Sequence, residues 1–249
     1  MSEATAPLID DDLLGEAALA DPHSALAVVR EHDPVHWNPV LRAWLITRHE
    51  DVTAGFRDQE RLSSDRITPV FEQKLSPEER TTRAPTFEIL QHWLVFRDPP
   101  DHTRLRALMR MAFTPRAVEL LRPRVDEIVG ELIDSALERG EIDMVRDFAY
   151  PIPAIVIAEM LGAPPEDRDR FKSWSDDITV LVFGGENTPE RKAQAQHGLT
   201  ELADYLRHLI KRFRSEPGDN LLSALVAAQD HDDRLTDDEI LSNATLLLF

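Results

Sequence analysis

The side chains best placed for chemistry in this sequence are a histidine and an arginine four residues apart. His102 and Arg106 lie in the stretch Asp98-Pro-Pro-Asp-His-Thr-Arg-Leu-Arg106. Its two prolines cannot sit inside a helix but can precede one, so we expect a helix from about His102 to Ala112. Residues four apart share one helix face, and this pair could hold a carboxylate through charge-assisted hydrogen bonds. The alternative is an ordinary polar helix face.

The charge around this pair favours an anionic ligand. Residues 97–124 hold seven arginines against two aspartates and one glutamate, whereas the formal net charge of the whole chain is −18. Arginine pairs with buried carboxylates and with acidic protein surfaces alike. The segment could therefore serve a carboxylate on one side and an acidic protein partner on the other.

Composition argues against several other classes of protein. A sequence isoelectric point near 4.8 leaves no electrostatic footprint for nucleic acid, and an anionic membrane surface should repel the chain. No apolar run approaches the ~20 residues of a transmembrane helix, and the first residues show no signal-peptide pattern. Cysteine is absent, which rules out disulfides and thiolate ligands in these residues and is compatible with a reducing compartment. We expect a cytoplasmic protein without nucleic-acid or membrane partners.

No metal site is expected in these residues. His32 and His36 flank Pro34 and cannot share a helical metal-binding face, and the acidic stretch Asp230–Asp233 lacks the spaced ligands of a calcium loop.

The elements that position the pair are mainly helical, because alanine and leucine dominate while glycine and aromatic residues are sparse. The exception is near the N-terminus, where Pro34–Trp37 and Arg42–Thr47 predict two short strands joined at Asn38-Pro39. Helices are predicted after Asp21-Pro22 and over His49–Phe56. No repeat or linker interrupts the chain, so residues 1–249 are predicted to belong to one domain.

A long polar stretch, Leu62 to about Pro85, precedes the histidine–arginine segment. Within it Ser76, Pro77 and Glu79 form a capping box for a short helix. Structureless stretches of this length are usually functional loops or disorder, so we predict a lid over a pocket.

The remaining sequence predicts a series of helices with clear start and stop signals. These are a helix with Pro123 in its first turn, an apolar helix after Pro151 closed by Gly162, helices over Pro165–Phe183 and Pro189–Phe213, one starting at Asp219, and a last one with a capping box Thr236-Asp-Asp-Glu239. The last helix runs apolar to Phe249, without a glycine or asparagine cap or a polar tail. We therefore expect a truncated chain.

The segment from Asp98 to Arg106, continuing to Ala112-Phe-Thr-Pro-Arg116, resembles the C-helix signature of bacterial cytochromes P-450. Other stretches are similar to the same family in matching order: Trp44-Leu-Ile-Thr47, Leu62-Ser-Ser-Asp-Arg66, Asp219-Asn-Leu-Leu-Ser and Leu235-Thr-Asp-Asp-Glu239. Asn243–Phe249 resembles the first half of the family's long I helix. The resemblance covers nearly the whole chain.

This resemblance implies a mainly α P-450 fold with a small β-sheet near the N-terminus, truncated within the I helix. It implies that His102 and Arg106 hold a haem propionate, and that Leu246 and Phe249 face a substrate pocket roofed by the Leu62–Pro85 loop. Core packing is the alternative role for Leu246. The full-length protein would be a haem monooxygenase and a monomer, oxidising a small apolar substrate with electrons from a ferredoxin or similar donor.

Two departures limit what these residues can do on that interpretation. The family's thiolate ligand needs a cysteine, and its Glu-x-x-Arg pair is matched here only by Glu119-Leu-Leu-Arg122, which lies in the wrong place. We therefore expect no catalytic residue in these 249 residues and no activity from them alone. The competing hypothesis is a cofactor-free helical binding or regulatory module that uses the arginine-rich helix against an acidic partner.

Overall fold

The structure is a computed structural model that describes residues 9–113, 115–183, 188–227 and 235–248. The chain divides into two compact units, Met1–Ser63 and Ser64–Phe249. In the described part of the first unit, three helices and one hairpin form: α1 Glu16–Ala20, α2 Pro22–His32, β1 Val35–Asn38, β2 Ala43–Ile46 and α3 His49–Arg57. No described helix is long and apolar enough to cross a membrane.

The described part of the second unit contains eight α-helices. They are α4 Pro77–Leu90, α5 Asp101–Ala112, α6 Pro115–Arg139, α7 Pro151–Met160, α8 Arg168–Phe183, α9 Pro189–Ser215, α10 Leu221–Ala227 and α11 Asp237–Leu248. Shorter helical turns connect them: π-helical Val70–Lys74 and Met144–Ala149, and 3₁₀ turns at Leu94–Phe96 and Pro165–Asp167. The predicted fold class, mainly α with a small N-terminal sheet, is confirmed.

The N-terminal hairpin is held by cross-strand and turn contacts. Trp37 lies opposite Trp44, and their rings meet edge to face with centroids 5.5 Å apart. Buried Asn38 closes the turn, since its side chain accepts a hydrogen bond from the Leu41 backbone N–H at 2.8 Å. The strands match the predicted pair closely, because alternation and turn residues are local signals.

His36 is paired within the hairpin unit. Its Nε2 lies 2.7 Å from an Asp11 carboxylate oxygen and its Nδ1 lies 2.8 Å from one of Asp33. Hydrogen bonding to Asp11, and then to Asp33, raises the pKa of His36. The His36 side chain therefore bridges the carboxylates of Asp11 and Asp33.

The core of the second unit is built around α9. Its buried stripe is the predicted one, Leu199, Leu202, Leu206, Leu209 and Ile210. Helix α8 packs along α9 through an aromatic cluster in which the Phe171 and Tyr205 rings meet edge to face at 5.3 Å. Burial of this face supplies most of the driving force that keeps these long helices in place.

The predicted stop at Gly162 is confirmed. Gly162 has φ +79°, a left-handed conformation that a side chain would strain, and its N–H donates to the Glu159 carbonyl. A Cβ at this position would lie 2.6 Å from the Phe213 ring, so the close approach of α9 also requires glycine.

Two predictions based on proline were wrong. The Leu62–Pro85 stretch is not a loop to its end, since α4 continues through Pro85 to Leu90, and α6 begins at Pro115 rather than near Pro123. Proline has a helical φ and disturbs only the preceding turn, so it marks a helix start by preference and not by necessity. Burial of Ile89 and Leu90 beyond Pro85, and of Ile128 beyond Pro123, offsets the lost hydrogen bond.

The predicted capping boxes are both present. In α4 the Glu79 N–H donates to Ser76 Oγ at 3.2 Å, and the Ser76 N–H donates to the Glu79 carboxylate at 2.9 Å. In α11 the same exchange joins Thr236 and Glu239, at 3.1 Å and 2.9 Å.

Buried polar side chains of α11 fasten it to the turn that precedes α5. Asn243 accepts a hydrogen bond from the Leu94 N–H at 3.0 Å and donates to the His92 carbonyl at 3.0 Å. Nearby, Trp93 Nε1 donates to Thr245 Oγ1 at 2.9 Å, and both side chains are fully buried. Helix α11 is thus fixed by bonds of defined geometry as well as by apolar contact.

Replacing Asn243 with alanine should destabilise the protein by about 2 kcal/mol or more, because the Leu94 N–H and the His92 carbonyl both lose buried partners. The measurement is urea unfolding followed by tryptophan fluorescence. Gln194→Ala is the matched control, since that amide bonds Asp177 on the exposed surface and should change stability by less than about 0.5 kcal/mol. Equal effects of the two substitutions would contradict the fastening role of Asn243.

Candidate functional site

Helix α5 carries the histidine and arginine that sequence analysis singled out. It starts at Asp101, directly after Pro99-Pro100, and ends at Ala112, as the spacing predicts. Leu105, Leu108 and Met109 are buried in the core, which fixes the rotation of α5 about its own axis. With that rotation His102 is half-buried and Arg106 is exposed.

An ion pair between distant parts of the chain also holds α5. Both Arg104 Nη atoms donate to the Glu239 carboxylate of α11, one of them at 3.3 Å. The Glu239 side chain is only 10 % exposed and that of Arg104 is 29 % exposed. Since Glu239 also caps α11, one carboxylate joins the start of that helix to the middle of α5.

Most of the local arginines are paired inside the protein. Arg97 bonds Asp101, Arg122 bonds Glu119 at 3.2 Å, and Arg124 bonds Glu159 at 2.7 Å. These pairs, together with the Arg104 pair, neutralise much of the positive charge that the sequence places between residues 97 and 124. The side chain of Arg116 lies outside what the structure describes.

His102, Arg106 and Arg110 differ from these paired residues, and we call the three the basic stripe. Their spacing of four and eight residues places them on one face of α5. Within the described parts of the chain, none of the three side chains makes a hydrogen bond or an ion pair. An imidazole and two guanidinium groups that pair with no described residue are donors that an external anion can use.

This donor set fits a haem propionate at His102 and Arg106. A propionate is a carboxylate that can accept hydrogen bonds from an imidazole N–H and from the planar guanidinium fork. Both side chains come from one rigid helix whose rotation is already fixed. Their assignment to the propionate stays a prediction.

Of the two predicted pocket residues on the last helix, the structure describes Leu246. Leu246 is half-buried and packs against the hydrophobic core. Phe249 lies outside the described residues, as does the acidic stretch Asp230–Asp233. The assignment of Leu246 and Phe249 to a substrate pocket therefore stays a prediction.

The stretch that was predicted to roof a pocket does line an open cavity of about 400 Å³. Its walls include Phe71, Phe87 and Phe96, and two arginines, Arg66 and Arg83, also line it. The π-helical turn Val70–Lys74 supplies Phe71, helix α4 supplies Arg83 and Phe87, and the 3₁₀ turn before α5 supplies Phe96, while Arg66 lies in the connection before Val70.

Comparison with known proteins places this architecture among the haem-binding cytochromes P450. No family model matches the chain. Cytochrome P450 107B1 of Saccharopolyspora erythraea is 41 % identical over 95 % of this chain and 57 % of its own length. The cytochrome P450 monooxygenase PikC of Streptomyces venezuelae is 38 % identical over 98 % of this chain and 56 % of its own.

The solved structures agree with the sequence relatives. The crystal structure of CalO2 superimposes with a TM-score of 0.83 at 30 % identity, covering 97 % of this chain and 58 % of its own. The chain therefore belongs to the cytochrome P450 family, and its relatives are bacterial members. It spans a little over half the length of the relatives named above. Nothing among them supports the competing hypothesis of a cofactor-free regulatory module.

Sequence reasoning missed two parts of this site. The capping role of Glu239 was visible in the sequence, but its ion pair with Arg104 joins residues 135 positions apart, and no local pattern announces it. Arg110 was only counted among the arginines. Arg110 differs from the paired arginines because no described residue pairs with it, and this can be seen only in the structure.

Replacing Arg104 with glutamine should destabilise the protein by about 3 kcal/mol, because Glu239 would remain buried without its counter-charge. Arg122→Gln is the matched control, since Arg122 and Glu119 are each more than 70 % exposed and such pairs contribute at most about 1 kcal/mol. Both values come from urea unfolding. A similar, small effect at the two positions would show that the Arg104–Glu239 pair does not hold α5.

The same ion pair predicts a dependence of stability on pH. Burial raises the pKa of Glu239, but hydrogen bonds from Arg104 and from the Thr236 backbone N–H outweigh it and hold the pKa below its usual value of 4.5. A carboxyl whose pKa is depressed by folding stabilises the protein fully above the unfolded-state pKa, and this contribution disappears as pH falls through the folded-state pKa.

At neutral pH the free energy of unfolding of the wild-type protein should therefore exceed that of the Glu239→Gln variant. The difference between the two free energies should disappear as pH falls below about 4.5. Urea unfolding at a series of pH values measures it. A difference that stays constant with pH would contradict the stabilising role of the ionised Glu239 carboxylate.

Proposed function

We propose that residues 1–249 are the N-terminal portion of a single cytochrome P450 domain, and that the whole protein is a haem-dependent monooxygenase. Its reaction would insert one atom of dioxygen into a small apolar substrate, using electrons from a ferredoxin or a similar donor. The observation that carries this proposal is that His102 and Arg106 lie on one face of α5 and pair with no residue that the structure describes, in a chain whose relatives include a named monooxygenase. When bound, haem supplies the oxygen chemistry.

His102 and Arg106 would bind and orient the cofactor. Each would donate charge-assisted hydrogen bonds to a propionate carboxylate and so help to retain the cofactor beside α5. The rigid support behind them is the buried set Leu105, Leu108 and Met109, together with the Arg104–Glu239 pair. Site geometry held by such support is more exact than geometry held by a loop.

A cysteine thiolate that holds the haem iron would come from outside residues 1–249, because these residues contain no cysteine. Residues 1–249 expressed alone should therefore be inactive in oxidation. On the last helix, Leu246 and Phe249 would face the substrate.

The partners follow from charge. Exposed Arg110 is unpaired among the described residues, and an acidic electron donor would be attracted to it and to its neighbours. The formal charge of −18 disfavours nucleic acid and anionic membranes as partners. We propose a cytoplasmic protein that is a monomer when full length.

His102→Ala and Arg106→Ala in the full-length protein should each speed haem loss about tenfold or more, since each removes a charged hydrogen bond to a carboxylate. The measurement is haem transfer to an excess of apomyoglobin. Arg110→Ala is the matched control on the same helix and should leave the transfer rate unchanged. If the rate is the same in all three variants, the propionate assignment is wrong.

A carbon monoxide difference spectrum of the reduced full-length protein tests the reaction class. The expected result is the red-shifted Soret band of thiolate-ligated haem. A spectrum typical of histidine-ligated haem, or no haem at all, would contradict the monooxygenase proposal.

A further inference from the structure

The cavity beside α4 has a composition that is unusual for this chain. Two of the residues that line it, Arg66 and Arg83, are cationic, and none of the described residues that line it is a carboxylate. The chain as a whole carries 46 acidic residues against 28 basic ones. The charged residues described in its lining are therefore cations, and a cavity of this size is a concave site of the kind that binds small molecules.

The two guanidinium groups are not consumed by internal ion pairs. Arg66 lies over the Phe96 ring, 4.7 Å from its centroid, and pairs with no carboxylate among the described residues. Arg83 has one partner, Glu79, at the long distance of 3.6 Å, and both side chains are partly exposed. Such a contact contributes little and is readily exchanged for a better anion.

Neutral polar groups also face the cavity. Thr86 and Gln196 line it, and neither side chain forms a hydrogen bond with any residue that the structure describes. A hydroxyl and a carboxamide can both donate to a carboxylate. The cavity thus combines two cations and two neutral donors.

The rest of the wall is apolar. Phe71 and Phe87 both line the cavity, and their rings stack face to face with centroids 4.0 Å apart and planes 13° apart, so each ring holds the other in place. Buried Leu90 and Phe96 extend the apolar lining. This surface can bury the hydrocarbon part of a ligand, at roughly 25 cal/mol for each Å² of apolar area.

We propose that this cavity binds an amphipathic acid, with its hydrocarbon body against the apolar lining and its carboxylate between Arg66 and Arg83. The proposal rests on the proposed function only in that it makes this acid the substrate, whose hydrocarbon body is the apolar part to be oxidised. The binding itself needs just the residues that line the cavity.

The test is isothermal titration calorimetry of the full-length haem protein with decanoate and with decan-1-ol, which share a hydrocarbon chain and differ in the head group. Decanoate should bind about tenfold more tightly at neutral pH and low salt, because a carboxylate gains charge-assisted hydrogen bonds that a hydroxyl cannot. Equal affinities, or no binding of decanoate, would overturn the proposal.

Variants locate the preference. Arg66→Gln and Arg83→Gln should each reduce the ratio of the two affinities, and the double variant should bring it close to one, whereas Arg66→Lys should retain part of it. Arg207→Gln, an exposed arginine paired with Asp204 outside the cavity, is the matched control and should keep the full ratio. A double variant that keeps the wild-type preference would place the carboxylate elsewhere and overturn the proposal.

The outcome is independent of the reaction class. Binding of decanoate with the predicted ratio, in a protein without the thiolate-haem spectrum, would support the cavity and reject the monooxygenase. The thiolate-haem spectrum without a preference for decanoate would do the reverse.

Discussion

The ion pair between Arg104 and Glu239 is the constraint on which the rest of the site depends. Glu239 is almost completely buried, and a buried carboxylate is stable as an ion only when a counter-charge and hydrogen-bond donors surround it. Arg104 from α5 and the Thr236 N–H at the start of α11 meet that need. Neither helix can shift along the other without breaking these contacts, so the faces of α5 are assigned once this pair forms.

The functional character of α5 follows by exclusion. Seven arginines lie in residues 97–124, and among the described residues four of them pair with carboxylates of the protein. The residues left over on α5, His102, Arg106 and Arg110, share one face because the paired Arg104 and the buried leucines occupy the others. An unpaired guanidinium is informative here because acidic residues outnumber basic ones in the chain, so internal partners are plentiful.

Much of the fold could be predicted from local sequence signals, while contacts between distant residues could not. Capping boxes at Ser76 and Thr236 and the stop at Gly162 depend on a few consecutive residues, and the structure confirms each. The start of α6 depends on whether burial of apolar side chains outweighs the backbone hydrogen bond lost at Pro123, and the end of α4 depends on the same balance at Pro85. No local pattern reveals this balance. The Arg104–Glu239 pair could not be predicted from local patterns either, because it forms only when the tertiary fold brings the two residues together. The same holds for Arg66 and Arg83, which line one cavity.

The strong acidity of the chain shapes what its two cationic regions can do. A net charge of −18 repels anions at long range, but this field is screened within about 10 Å at ordinary ionic strength. Anion binding must therefore come from short contacts in sheltered places, where hydrogen bonds of correct geometry count for more than net charge. Arg66 and Arg83, which line the cavity beside Phe71 and Phe87, meet this condition. In the basic stripe on α5 only His102 is half-buried, while Arg106 and Arg110 are exposed and would be sheltered by the bound group itself. Selectivity in such sites arises from geometry, and diffuse acidic competitors, including the protein's own surface carboxylates, cannot reproduce it.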